Sequence, residues 1–146
     1  MLTPAKKQRR LNRKGVCSMI GYVTVGTDDL PAATAFFDEL FRVLDVPRCL
    51  EKPGRYVAWS RGPEQPALAV TVPWNKREAT PGNGTMVALA VKTKEEVAAL
   101  HAKALELGGV DEGAPCYSAD EDMGVYAAYF RDLDGNTFNA FCVVRE

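Results

Sequence analysis

A chain of 146 residues, 47% hydrophobic and 25% charged, has the size and make-up of one globular unit, or of two small halves sharing a core. No apolar run approaches the ~18 residues a membrane span needs. The four cysteines (Cys17, Cys49, Cys116, Cys142) have no CxxC or other ligand spacing, so they point to free thiols in a reducing cytoplasm rather than to disulfides or zinc.

Of 18 Lys and Arg, six fall within residues 1–18, where there is no acid; 12 basic residues then face 19 acidic ones in the rest, beneath a net charge of only −1. That acidic remainder argues against nucleic acid as a partner and suits a cationic ligand. Residues 1–18 lack hydrophobic periodicity and the apolar core of a signal peptide. They read as a basic disordered tail, with a start codon upstream of the native one as one account and a basic targeting or nucleic-acid arm as the alternative.

Met19 opens the first strand. Val23 and Val25 alternate with Tyr22 and Thr24, the period of a half-buried strand. Thr27, Asp28 and Asp29 offer N-cap oxygens, and Pro31 suits a first helical turn. Phe36, Phe37, Leu40, Phe41 and Leu44 then recur at helical spacing, and Pro47 ends the helix. Arg48–Lys52, Tyr56–Arg61 and Ala67–Val72 read as three strands, parted by Pro53-Gly54 and Gly62-Pro63. A Pro- and Gly-rich linker, 74–83, separates this first module (19–73) from a second (84–146).

The second module restarts in the same order. Thr85–Val91 alternates, with Val87, Leu89 and Val91 opposite Met86, Ala88 and Ala90. Thr93 and Glu96 make a capping box, ahead of a helix with Val97, Leu100, Ala104 and Leu107 on its buried stripe. Gly108-Gly109 ends that helix. A strand at Val110–Tyr117 and a polar loop follow. Then comes a hairpin, Tyr126 to Phe141, folded about Asp134-Gly135-Asn136, where Gly accepts positive φ. Tyr56–Arg61 echoes Tyr126–Arg131 at an offset of 70 residues, and the same offset carries Ala69 onto Asn139. Tyr22 and Met86 hold equivalent places in the two opening strands. One module is present twice.

The βαβββ order, the doubling, and the stretches IGYVTVGTDDLPAATAFFDELF, GNGTMVALAV and YAAYFRDLDGNTFNAF resemble the vicinal oxygen chelate superfamily of glyoxalases, bleomycin and fosfomycin resistance proteins and extradiol dioxygenases. The resemblance implies an α+β fold: two tandem βαβββ modules whose curled, mainly antiparallel sheets form a cup. It also implies where enzymes of the family hold a divalent metal. In this chain those positions fall on Tyr22, Ala69, Met86 and Asn139, and none is His, Asp or Glu. A hard cation needs three or four converging carboxylate, carbonyl or imidazole ligands, so no metal and no cofactor is expected.

By alternation and the family's hairpin register, Tyr22, Trp59, Thr71, Met86, Tyr129 and Asn139 are expected to line the cup. They would form an aromatic and thioether box for a small planar or cationic molecule. The competing reading is that these bulky groups fill the space a metal and substrate once held. The function expected from the resemblance is metal-independent binding of the kind seen in the bleomycin-resistance branch, in a homodimer, with no nucleic acid or membrane partner. The alternative is a lyase, isomerase or dioxygenase with an atypical or metal-free site, with Tyr22 or Tyr129 as acid or base. His101, lone on its helix, reads as a surface or helix-flank residue, and Cys116 and Cys142 as buried inert thiols. Arg61 and Arg131 read as strand-end charges near Asp132 or Asp134, and Glu112, Asp120, Glu121 and Asp122 as solvated acids or an acidic rim.

Overall fold

A computed structural model of the chain describes residues 18–119 and 123–145. The basic tail to residue 17 and the three acids Asp120, Glu121 and Asp122 lie outside the described residues. The elements follow in the order β1 (Tyr22–Gly26), α1 (Leu30–Arg42), β2 (Arg48–Lys52), β3 (Tyr56–Ser60), β4 (Ala67–Thr71), β5 (Met86–Ala90), α2 (Lys94–Glu106), β6 (Val110–Tyr117), β7 (Val125–Arg131) and β8 (Thr137–Val143). They make two four-stranded sheets, β1-β4-β3-β2 and β5-β8-β7-β6. In each sheet the opening strand runs parallel to the last strand of its module, and the other pairs are antiparallel. This is the expected pair of βαβββ modules.

Local chemistry sets the helix ends. The Asp29 carboxylate accepts from Ala32 N at 3.0 Å and starts α1. Thr93 Oγ1 accepts from Glu96 N at 3.1 Å, while Glu96 reaches back to Lys92 N at 2.7 Å, so α2 carries two satisfied N-terminal donors. Both helices bury their apolar stripes in one core, together with the helix-facing sides of both sheets. Phe37 joins the halves: its ring centroid lies 5.6 Å from that of Trp59 on β3 and 5.5 Å from that of Phe138 on β8.

Polar bridges cross between the modules as well. Asn136 Nδ2 donates to Gly26 O at 3.0 Å, Ala79 N donates to Asp28 at 2.8 Å, and Arg61 Nη2 donates to Ala90 O at 2.8 Å. Arg61 therefore caps the outer edge of β5. Arg131 binds Glu112 and Gly135 O, so neither arginine has Asp132 or Asp134 as its partner.

Two side chains differ from expectation. His101 is buried, and its Nε2 meets Asp111 Oδ1 at 3.0 Å, which pins α2 to β6. A lone His on a helix is not thereby exposed: β6 passes along its flank and supplies the partner. Cys116 is exposed, and among the described cysteines only Cys142 is buried; burial pushes the Cys142 thiol up and keeps it protonated.

Arg48 donates to Asp38 from Nε at 2.8 Å and also from Nη2, tying β2 to α1. The Arg48 hydrogen bond leads the causes that hold Asp38 below the ordinary carboxylate value of 3.8. A depressed native pKa means that the stabilisation is present above 3.8 and is lost as pH falls through the native value. Thermal unfolding followed between pH 7 and pH 2 is expected to show this loss, and Arg48→Met is expected to flatten it. An unchanged pH profile in Arg48→Met would contradict the assignment.

Candidate functional site

Strand register decides which side chains share a face, because directly opposed residues point the same way. Across the second sheet, Ala88, Asn139, Tyr129 and Gly113 form one row on the side away from the helices. The equivalent row in the first sheet is Thr24, Ala69, Ala58 and Leu50. Met86 and Thr137 flank the row in the second sheet; Tyr22 and Thr71 flank the row in the first. A Cβ built on Gly113 would meet the Tyr129 ring at 3.2 Å, so the missing side chain lets that ring lie over β6.

Asn139 is the distinctive member. It is 7% exposed, and its Oδ1 is buried without a hydrogen-bond partner. Its cross-strand neighbours are a methyl group and a phenol ring, Ala88 and Tyr129. An unmet buried acceptor costs about 1–3 kcal/mol, and native structures keep few of them. Thr71, by contrast, turns its hydroxyl to Arg55 O and Val72 O, at 3.3 and 3.1 Å.

Trp59 does not line this face. It pairs with Leu68 and points at α1, 2% exposed, with its indole N–H donating to Asp38 at 3.0 Å and its ring packed on Phe37 and Phe41. The reason is a one-residue slip in the repeat. Ala69 and Asn139 are equivalent at an offset of 70, but the residue opposite Ala69 is Ala58, and the residue opposite Asn139 is Tyr129, which lies 71 further on. The structural counterpart of Trp59 is thus Phe130, opposite Phe138. With a side-chain period of two, one residue of slip reverses the face.

Within the chain the remaining expected residues form two groups. Met86, Tyr129 and Asn139 share the outer face of the second sheet; Tyr22 and Thr71 share that of the first. The opposite sides of both sheets bury into one core. Both outer faces carry exposed apolar groups: Tyr22 is 72% exposed and Met86 46%.

A cavity of about 620 Å³ lies where the first module meets β5, and it shares Met86 and Ala88 with the outer face of the second sheet. Val23, Phe41, Leu44, Trp59 and Leu68 line one side, and Met86 to Ala90 the other, with Arg61 and Gln65 beside them. The sequence carries a muted signal for it. Strand β5 reads MVALA, apolar on both faces, which is the composition of a strand covered on both sides.

The metal positions of the fold do not fit an ion here. Tyr22 offers a phenol, Met86 a thioether, Ala69 no donor, and Asn139 one carboxamide, and the first two residues lie on different sheets. Among the described residues, no three His, Cys, Asp or Glu side chains gather as a metal site would need.

Comparison with known proteins agrees with the architecture. A glyoxalase/bleomycin resistance protein from Albidiferax ferrireducens T118 superposes with a TM-score of 0.75 at 32% identity, covering 86% of this chain and 98% of that one. The chain belongs to the glyoxalase/bleomycin resistance family. Other solved structures share its fold at lower identity. A lactoylglutathione lyase from Agrobacterium tumefaciens matches at 22% identity over 88% of this chain and 96% of its own, with a TM-score of 0.61. The fosfomycin resistance protein FosX from Listeria monocytogenes matches at 16% over 87% and 94%, with a TM-score of 0.62. No family model matches the chain, and no curated protein does. Among the described residues, no helix is long and apolar enough to cross a membrane.

Proposed function

We propose that this glyoxalase/bleomycin resistance family member binds a small molecule on the outer sheet faces without using a metal, and that two copies close the site. The observation that carries the reading is the buried, unpartnered Oδ1 of Asn139 between Ala88 and Tyr129. A ligand that presents an N–H or O–H to this oxygen offsets the cost of leaving it dry. Its flat or apolar part would rest against Tyr129 and Met86, whose ring and thioether favour planar and cationic groups.

The same geometry supports a homodimer. One chain offers two separate outer sheet faces, each with exposed apolar groups, and a second copy can bring the Tyr22 face of one chain over the Asn139 face of the other. Light scattering on the eluting protein tests the copy number; a strict monomer at tens of micromolar would remove this part of the reading.

The test of the site is Asn139→Leu, which removes the orphaned acceptor while keeping the side chain's size. The variant is expected to unfold about 1 kcal/mol later than the parent in urea, and to lose the thermal shift produced by planar N–H or O–H donors in a ligand screen. A hit held at a hundred times its Kd stabilises the parent by about 2.7 kcal/mol, so its disappearance is easily read. Ligands that shift parent and Asn139→Leu equally, or a variant less stable than the parent, would overturn the proposal.

A further inference from the structure

We infer that the cavity between the first module and β5 is a second small-molecule site, which takes an apolar chain or ring ending in an anionic group. This goes beyond the reading centred on Asn139: the cavity shares Met86 and Ala88 with that face, but neither Asn139 nor Tyr129 lines it. Its volume of about 620 Å³ suits a ligand of ordinary metabolite or drug size. Its walls are aliphatic and aromatic, and they include the largely buried Trp59 and Phe41.

The head group follows from the charges. No Asp or Glu lines the cavity, and Arg61 is its one charged lining residue. Among the described residues Arg61 has no carboxylate partner; its Nη2 donates to Ala90 O, the outer edge of β5. A guanidinium carries five N–H donors, so donors remain for an anion. Arg61 is exposed at the cavity, so its free donors are open to an incoming anion. In a chain whose part beyond the basic tail is acidic, a lone cation beside apolar walls selects for a negative head and an apolar body.

The experiment uses the full chain carrying Trp74→Phe. There are two tryptophans in the sequence, and this change at an exposed loop position leaves Trp59 in the cavity wall as sole reporter. Dodecanoate, dodecanol and dodecyltrimethylammonium are titrated below their micelle thresholds while Trp59 emission is followed. The expected result is a saturable change with dodecanoate, binding of dodecanol at least about tenfold weaker, and none of the cation. Arg61→Gln brings dodecanoate down to the level of dodecanol, and Arg61→Lys keeps most of the preference. Asn139→Leu leaves the titration unaltered, which separates failure at this site from failure at the sheet face. No saturable change, equal binding of all three head groups, indifference to Arg61, or loss in Asn139→Leu would each overturn the inference.

Discussion

Phe37→Ala is expected to lower the free energy of unfolding by about 3–5 kcal/mol, the range for emptying a fully buried aromatic site. Phe37 is completely buried and touches four other rings: Phe36, Phe41, Trp59 and Phe138. Two of these belong to different sheets, so the cavity left by the substitution opens at the junction of the modules and cannot collapse against one element alone. Against a total stability of roughly 5–15 kcal/mol for a typical domain, the loss is a large share. Urea unfolding monitored by tryptophan fluorescence and by far-ultraviolet dichroism measures it. A loss below about 1.5 kcal/mol would mean that the modules do not depend on this ring for their docking.

Asp132→Ala comes second, at about 3 kcal/mol. The carboxylate is 3% exposed and organises the turn between β7 and β8. Oδ1 accepts from Asp134 N and Asn136 N at 3.0 and 2.8 Å, and Oδ2 accepts from Asn136 Nδ2 at 2.9 Å. The same Asn136 amide donates to Gly26 O in the first module, so the loss reaches across the junction. Gly135, at φ 84°, takes the left-handed step that closes the turn.

Burial is the largest influence on Asp132 and raises its carboxyl above 3.8, against the hydrogen bonds that lower it. A raised native pKa means that the folded state holds the proton more tightly than the unfolded state. The stability tied to this group is therefore full below 3.8 and declines as pH rises through the native value. The gap between parent and Asp132→Ala should accordingly be wider near pH 4 than at pH 7. Unfolding curves at the two values read it directly, and a gap that narrows on acidification would contradict the assignment.

The order of elements, both helix caps, the hairpin about Gly135 and the buried stripes of both helices were legible in the residues alone. Each follows from a local rule: period two or 3.6, an oxygen placed before a first turn, or a glycine where φ must be positive. Duplication was equally legible, and with it the family and the poverty of metal donors at the four positions. Local rules reach no further than a residue's own strand or helix.

The rest came from long-range packing. Trp59 lies on the helix side, because pairing between β3 and β4 runs one residue out of step with the repeat and a strand's faces alternate at every residue. Packing also buried His101 against Asp111, divided the expected cup residues between two sheets, and opened a cavity beside β5. Register and module docking are set by contacts between residues far apart in the chain, where core packing at Phe37 and hydrogen bonds through Asn136 outweigh any local preference.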